Sequence, residues 1–170
     1  TGTVDIGNNV TLDVSFFNSF TPAQGNTFVI VDNDGTDAVT GTFAGLSEGT
    51  VFQLGTDVFT ISYTGGTDNN DIVLTADGVT ETTVTINGVD LEVNDTGSTT
   101  NDSLTISSDG TVVTISDANV ALTTDILGAT RVDSRTIQVP VSEFAGRVVV
   151  NALGGSDTLT VDYSDGDFNR

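Results

Sequence analysis

Along most of this chain apolar and polar residues alternate with a period of two, the pattern of a half-buried β-strand and not of an amphipathic helix. Val10, Leu12, Val14 and Phe16 alternate with Thr11, Asp13 and Ser15. The spacing recurs at Phe59, Ile61 and Tyr63, at Val84 and Ile86, at Val89, Leu91 and Val93, and at Leu159, Val161 and Tyr163. Thr, Val and Ile fill these stretches, as β-branched side chains do on a pleated surface. Phe28, Val29, Ile30 and Val31, and Val148, Val149 and Val150, are continuous apolar runs, expected as strands buried on both faces. Gly, Asn and Asp clusters interrupt the strands roughly every 8–12 residues, as in an all-β chain. Residues 116–127 have a mixed pattern, where Thr123-Thr124 favours a loop or irregular strand.

Two hairpins are expected. Asn87-Gly88 separates two alternating runs and is the strongest signal for a type I′ turn, whose central residues need positive φ. Asp109-Gly110 reads the same way with a slightly longer loop. Phe residues concentrate between 16 and 59, with only Phe144 and Phe168 later, and Asp77-Gly78 marks the change. The chain therefore divides into modules 1–77 and 78–170. The favoured architecture is an elongated β-solenoid of roughly 20–25 residues per coil, with antiparallel hairpins near 83–115. Two β-sandwich modules are the alternative.

The charge balance excludes several functions. Twenty Asp and four Glu face four Arg and no Lys or His, a formal net charge of −20. Nucleic acid is not an expected partner, because no basic stripe can form. Without Cys there is no disulfide or thiolate metal site, and without His no imidazole base or ordinary zinc or copper centre. The 36% apolar content separates the chain from acidic disordered tails. No stretch approaches the roughly 20 apolar residues of a bilayer span, so membrane insertion is not expected. The start at Thr1 lacks signal-peptide character, and the chain reads as a piece of a longer exported precursor.

The acids cluster in turns. Asp32, Asp34 and Asp37 lie within six residues around Asn33 and Gly35. Close carboxylates repel by roughly 1 kcal/mol per pair in water. A hard cation such as Ca²⁺, which takes six to eight oxygens, relieves that repulsion. An EF-hand is rejected, because its twelfth position would be Phe43. An Asx-rich turn and a calcium site both fit the string. The Gly-Gly turns at Gly65-Gly66, with Asp68 and Asp71, and at Gly154-Gly155, with Asp157, approach a calcium-binding nonapeptide. Neither fits it in register, so tight turns between solenoid strands are favoured there. Asp162, Asp165 and Asp167 trail the second turn. The two Gly-Gly segments, 63–74 and 151–161, are a faint internal echo.

The stretch 20–35, continued by Gly41 to Gly49 and by Phe59 to Gly66, resembles the closing part of β-solenoid blocks in very large bacterial surface proteins. These are the autotransporter-like and filamentous-haemagglutinin-like repeat proteins, of a type abundant in planctomycetes. Gly65-Gly66-Thr67-Asp68-Asn69-Asn70-Asp71-Ile72-Val73-Leu74-Thr75 is close to the segment's usual ending. Residues 80–163 are similar to modules that often follow it, with Leu153-Gly154-Gly155-Ser156-Asp157-Thr158-Leu159-Thr160-Val161 most typical. The resemblance implies a solenoid-closing module at 1–77 and a second β-rich module at 78–170. It also implies an extracellular, cell-surface address and an adhesive or structural role.

The expected function is thus a structural or adhesive module of a surface protein, sheath or filament, stabilised by Ca²⁺ and self-assembling. Its expected partners are neighbouring repeats, identical subunits or surface glycans. Asp32, Asp34, Asp37, Asp68, Asp71 and Asp157 are the candidate metal ligands. A calcium-dependent carbohydrate-binding module is the alternative, although the chain has no Trp and only two Tyr. A polysaccharide-active enzyme ranks third, since no carboxylate pair stands out, and no catalytic residue is expected.

Overall fold

The computed structural model describes residues 2–97, 100–152, 154–166 and 168. Asp167 and Leu153 lie outside the described residues. The fold is all-β. The strands are β1 (Thr27–Val31), β2 (Val51–Leu54), β3 (Asp57–Gly65), β4 (Asp71–Asn87), β5 (Asp90–Asp95) and β6 (Ser103–Ser108). They continue with β7 (Val112–Asp117), β8 (Ala121–Thr124), β9 (Thr130–Asp133), β10 (Thr136–Pro140), β11 (Val148–Asn151) and β12 (Thr158–Asp162). A 3-10 turn, Val141–Glu143, follows Pro140. No helix among the described residues is long and apolar enough to cross a membrane.

Two compact units result, Thr1–Val79 and Thr80–Arg170, with β4 running from one into the other. The sequence boundary at 77/78 falls two residues before this division.

In the first unit β4 lies between β1 and β3, and β2 pairs on β3, every pairing antiparallel. The core is aromatic: Phe43, Phe59, Ile61, Tyr63, Ile72 and Leu74 are buried, with Phe28 and Phe52 packed against them. The Tyr63 hydroxyl is satisfied inside this core, donating to the Leu46 carbonyl (2.6 Å) and accepting from the Phe43 amide (2.8 Å). Burial raises its pKa. The alternation at 10–16 does not become a strand. Leu12 and Val14 do pack against the core, but the Val10 carbonyl, which accepts the Ala44 amide, makes an isolated bond and not a ladder. Alternation fixes which side chains turn inward, and a strand also needs a free edge to pair with. Nor is β1 buried on both faces, since Val29 is 54% exposed.

The second unit is sandwich-like. One sheet runs β8-β4-β5-β11 and the other β12-β6-β7-β10-β9. Neither sheet closes on itself. Alternating residues meet between them: Val84, Leu91 and Val93 from the first, and Leu104, Ile106, Val113, Ile115, Ile137 and Val139 from the second. Fully burying one such side chain stabilises by about 1.5–3 kcal/mol. The β6–β7 hairpin forms at the expected place, with the Asp109 carboxylate accepting the Thr111 and Val112 amides. The β4–β5 hairpin also forms, but Asn87 pairs with Asp90, so its centre is Gly88-Val89, one residue late. Gly88 has φ +64°, and Gly at the first central position suits a type II′ turn. Both registers keep the same faces inward, so alternation could not choose between them.

A solenoid is not shown. Among the described residues seven of the ten strand pairings are antiparallel, whereas stacked coils pair strand on strand in parallel. The three parallel pairings are β8 on β4, β11 on β5 and β12 on β6, all in the second unit.

Candidate functional site

The expected metal ligands fall into two places, one in each unit. In the first unit the loop after β1 meets the turn before β4. Asn33 donates its backbone amide to Asp71 Oδ1 (2.9 Å) and its side-chain amide to the Asp37 carbonyl (2.7 Å). The Asn70 side chain reaches across to the Gly35 carbonyl (2.7 Å) and the Asp37 carbonyl (3.3 Å). Both asparagines are buried, at 3% and 2% exposure, and their amide nitrogens close the loop, while their side-chain oxygens and Asp37 Oδ2 are buried with no hydrogen-bond partner. Asp37 and Asp71 are half-buried within this framework, while Asp32, Asp34 and Asp68 are exposed. Gly66 has φ +74°, and a Cβ there would collide with the Asp71 carboxylate. The string 32–37 and the turn 68–71, far apart in sequence, are therefore one loop cluster built around Asn33 and Asn70.

Asp157, the remaining expected ligand, belongs to a different arrangement. It is exposed, and its Oδ1 accepts the Asp102 amide (3.1 Å). The Asp102 carbonyl in turn accepts the Thr158 amide (2.9 Å). Around this pair the second unit gathers acids at its strand ends. Asp95 is the last residue of β5 and Asp117 the last of β7, while Asp102 and Asp157 immediately precede β6 and β12. Glu81, on β4, completes the group.

Burial here is severe. Asp102 and Asp117 are each 1% exposed and Asp95 is 3% exposed. Asp117 Oδ1 accepts the Asn119 amide (2.7 Å) and the Val120 amide (3.2 Å), and Asp95 Oδ1 accepts the Gly97 amide (2.6 Å). Both carboxyl oxygens of Asp102, Oδ2 of Asp117 and Oε2 of Glu81 are buried with no hydrogen-bond partner. The hydroxyls of Thr82 and Thr100 are in the same condition. A Cβ on Gly97 would lie 2.5 Å from Thr100 Oγ1 and 2.9 Å from Glu81 Oε2, so both oxygens converge on this glycine. Burial, then the charges of Asp95, Asp117, Asp157 and Glu81, push the Asp102 carboxyl up from 3.8 to about 6. The group can hold a proton near neutrality. Its oxygens are acceptors without donors.

The expected list omitted Glu81, Asp95, Asp102 and Asp117. A signal for Asp102 exists, because Asp102-Ser103-Leu104-Thr105-Ile106 recurs as Asp157-Thr158-Leu159-Thr160-Val161. The two copies pair in parallel, Ser103 with Thr158 through Ile106 with Val161, which sets their leading aspartates side by side. The echo between 63–74 and 151–161 has no such counterpart. Its first copy joins antiparallel β3 and β4, and its second joins β11 and β12 in different sheets.

Among the described residues no group of three or more acidic side chains is already arranged to hold a metal ion. No protein-family model matches this chain, and no curated protein or solved structure matches it either.

Proposed function

We propose that the chain is a structural module of an exported, repeat-built surface protein, and that its second unit ends in a face suited to stacking a further coil. One observation carries this reading. Residues 148–151 lie in parallel on β5, and residues 158–162 lie in parallel on β6, in the same chain order. Side chains bridge the two layers at nearly constant separation. Arg147 with Asp90 and Asn151 with Asn94 are 57 residues apart, and Asp102 with Asp157 and Asn101 with Ser156 are 55 apart. This parallel layering supports stacking in this region, although its spacing of 55–57 residues is longer than the 20–25 residues per coil expected from the sequence.

The outer layer carries the features of an unfinished stack. β11 and β12 end their sheets, and among the described residues no strand pairs with their outer edges. On β12, Leu159 and Val161 are 50% and 42% exposed. They line an open groove of about 660 Å³ with Ile106, Val148, Val150 and Tyr163. An exposed apolar edge strand is a template for another strand. A neighbouring repeat or a second copy of the chain covers it in this reading, and the role is reach and surface contact, not catalysis.

Light scattering across a concentration series tests the proposal. It is run at 0.15 M salt so that a net charge of −20 is screened. A mass that rises with concentration is expected. A monomer unchanged from micromolar to millimolar concentration contradicts stacking between copies.

A further inference from the structure

We infer that the strand ends of the second unit form a binding site for a hard divalent cation, Ca²⁺ foremost, centred on Asp102 with Glu81, Asp95, Asp117 and Asp157 around it. The inference goes beyond the structural role and holds whether or not the module stacks.

An acidic cluster on a surface is ordinary, and this one differs in burial. Asp102 is 1% exposed and neither of its carboxyl oxygens has a partner. Burying a carboxylate costs several kcal/mol unless a counter-charge or donors compensate it. Among the described residues, the charged groups that bear on Asp102 are all acidic: Asp95, Asp117, Asp157 and Glu81. Arg135 adjoins the cluster, its carbonyl accepting the Asp117 amide (3.0 Å) and its side-chain Nε buried, but its charge is not among those that bear on Asp102. Asp102 thus has no donor and no opposite charge among the described residues, and a proton or a cation can supply the compensation. One proton neutralises one of five carboxylates, whereas a divalent ion acts on several at once.

The donor set selects the ion. It consists of oxygens alone, from carboxylates and from the hydroxyls of Thr82 and Thr100, which suits a hard ion. Ca²⁺ accepts six to eight such oxygens in loose geometry, whereas Mg²⁺ demands a near-ideal octahedron. The carboxylates do not stand in a ligating arrangement. Like charges without an ion hold one another apart, so binding has to draw Asp102, Asp117 and Glu81 inward. The parallel pairing of β6 with β12 fixes the backbones of Asp102 and Asp157 as neighbours and leaves only side chains to move.

Thermal melting of the full chain at pH 7.5, in EGTA and in millimolar CaCl₂, tests the site, together with calorimetric titration of CaCl₂. For the wild type a Tm rise of several degrees is expected. Saturable binding should accompany it, with a dissociation constant of about 10⁻⁴ M or tighter. Asp102→Asn should melt higher than wild type in EGTA, because one buried charge is gone, and should lose most of the calcium response. Asp37→Asn, in the other cluster, should keep that response. A wild-type Tm unmoved by millimolar calcium, with no titration heat, overturns the inference. So does a calcium response in Asp102→Asn equal to that of the wild type. If Asp102→Asn does not fold, the titration on the wild type and on Asp117→Asn decides the matter by the same criteria.

Discussion

The two units meet the same difficulty, many carboxylates on a small β-framework, in different ways. The first unit keeps Asp32, Asp34 and Asp68 in water and closes its loop with the amides of Asn33 and Asn70. Its buried phenol, Tyr63, has a donor on one side and an acceptor on the other. Among the described residues the first unit leaves one carboxylate oxygen, Asp37 Oδ2, buried without a donor, whereas the second buries Asp95, Asp102 and Asp117 and leaves four such oxygens, on Asp102, Asp117 and Glu81. A neutral amide can close a turn by itself, whereas a buried carboxylate calls for something from outside the chain. The density of acids along a sequence is thus a poor guide to where charge is costly. The string 32–37 is the denser one, yet the costly acids are the scattered residues brought together at strand ends.

The largest effect belongs to the aliphatic core of the second unit. Ile137→Ala removes a fully buried side chain and should cost about 2–5 kcal/mol in denaturant unfolding. In the first unit, Tyr63→Phe leaves the Phe43 amide and the Leu46 carbonyl without their buried partner. It should cost about 1–3 kcal/mol, and a cost near zero would mean that water replaces the hydroxyl.

The pH dependence separates the two kinds of acid. The folded chain binds the Asp102 proton more tightly than the unfolded chain, since its carboxyl is raised to about 6 from 3.8. Stability in EGTA should therefore rise as pH falls from about 6 to 4, and Asp102→Asn should abolish that rise. Asp109 acts in the opposite sense. The Thr111 hydroxyl and the amides of Val112 and Thr111 hold its carboxylate down to about 2. The stability it contributes is present above pH 4 and lost as pH falls toward 2. Asp90 and Asp162 share that direction, through the backbone amides of Arg147 and Ser164. A stability that falls steadily from pH 7 to 5 would contradict the buried-charge account of the second unit.

The smallest change in folding stability is expected from Leu159→Lys and Val161→Lys, because both side chains are largely exposed already. Charges on this edge should instead suppress the concentration-dependent mass. Assembly that survives both substitutions would move the stacking face away from β12.

Much of the fold was legible from local pattern. Alternation marked β3, β4, β5 and β12, and the Asp-Gly and Asn-Gly pairs marked both hairpins of the second unit. Alternation says which face is inward and nothing about which strand lies alongside, so the antiparallel order of the first unit was beyond its reach. The turn at Gly88-Val89 shows the same limit at the scale of one residue. For the candidate site, the sequence marked Asp157 but not Asp102 or Asp117, because each of these stands nearly alone in its own turn. The in-register pairing of the two Asp-Ser/Thr-Leu-Thr repeats, more than fifty residues apart, sets Asp157 beside Asp102, and the β6–β7 hairpin adds Asp117.

Hydrogen exchange measured with and without calcium reports whether the costly charge sits at the strand ends of the second unit. On adding millimolar Ca²⁺ at pH 7.5, slower exchange is predicted at Gly97, Asp102, Asn119 and Val120, with the amides of Asn33, Asp37 and Asp71 unchanged. Slowing confined to Asn33, Asp37 and Asp71, or no slowing at either cluster, would contradict that placement.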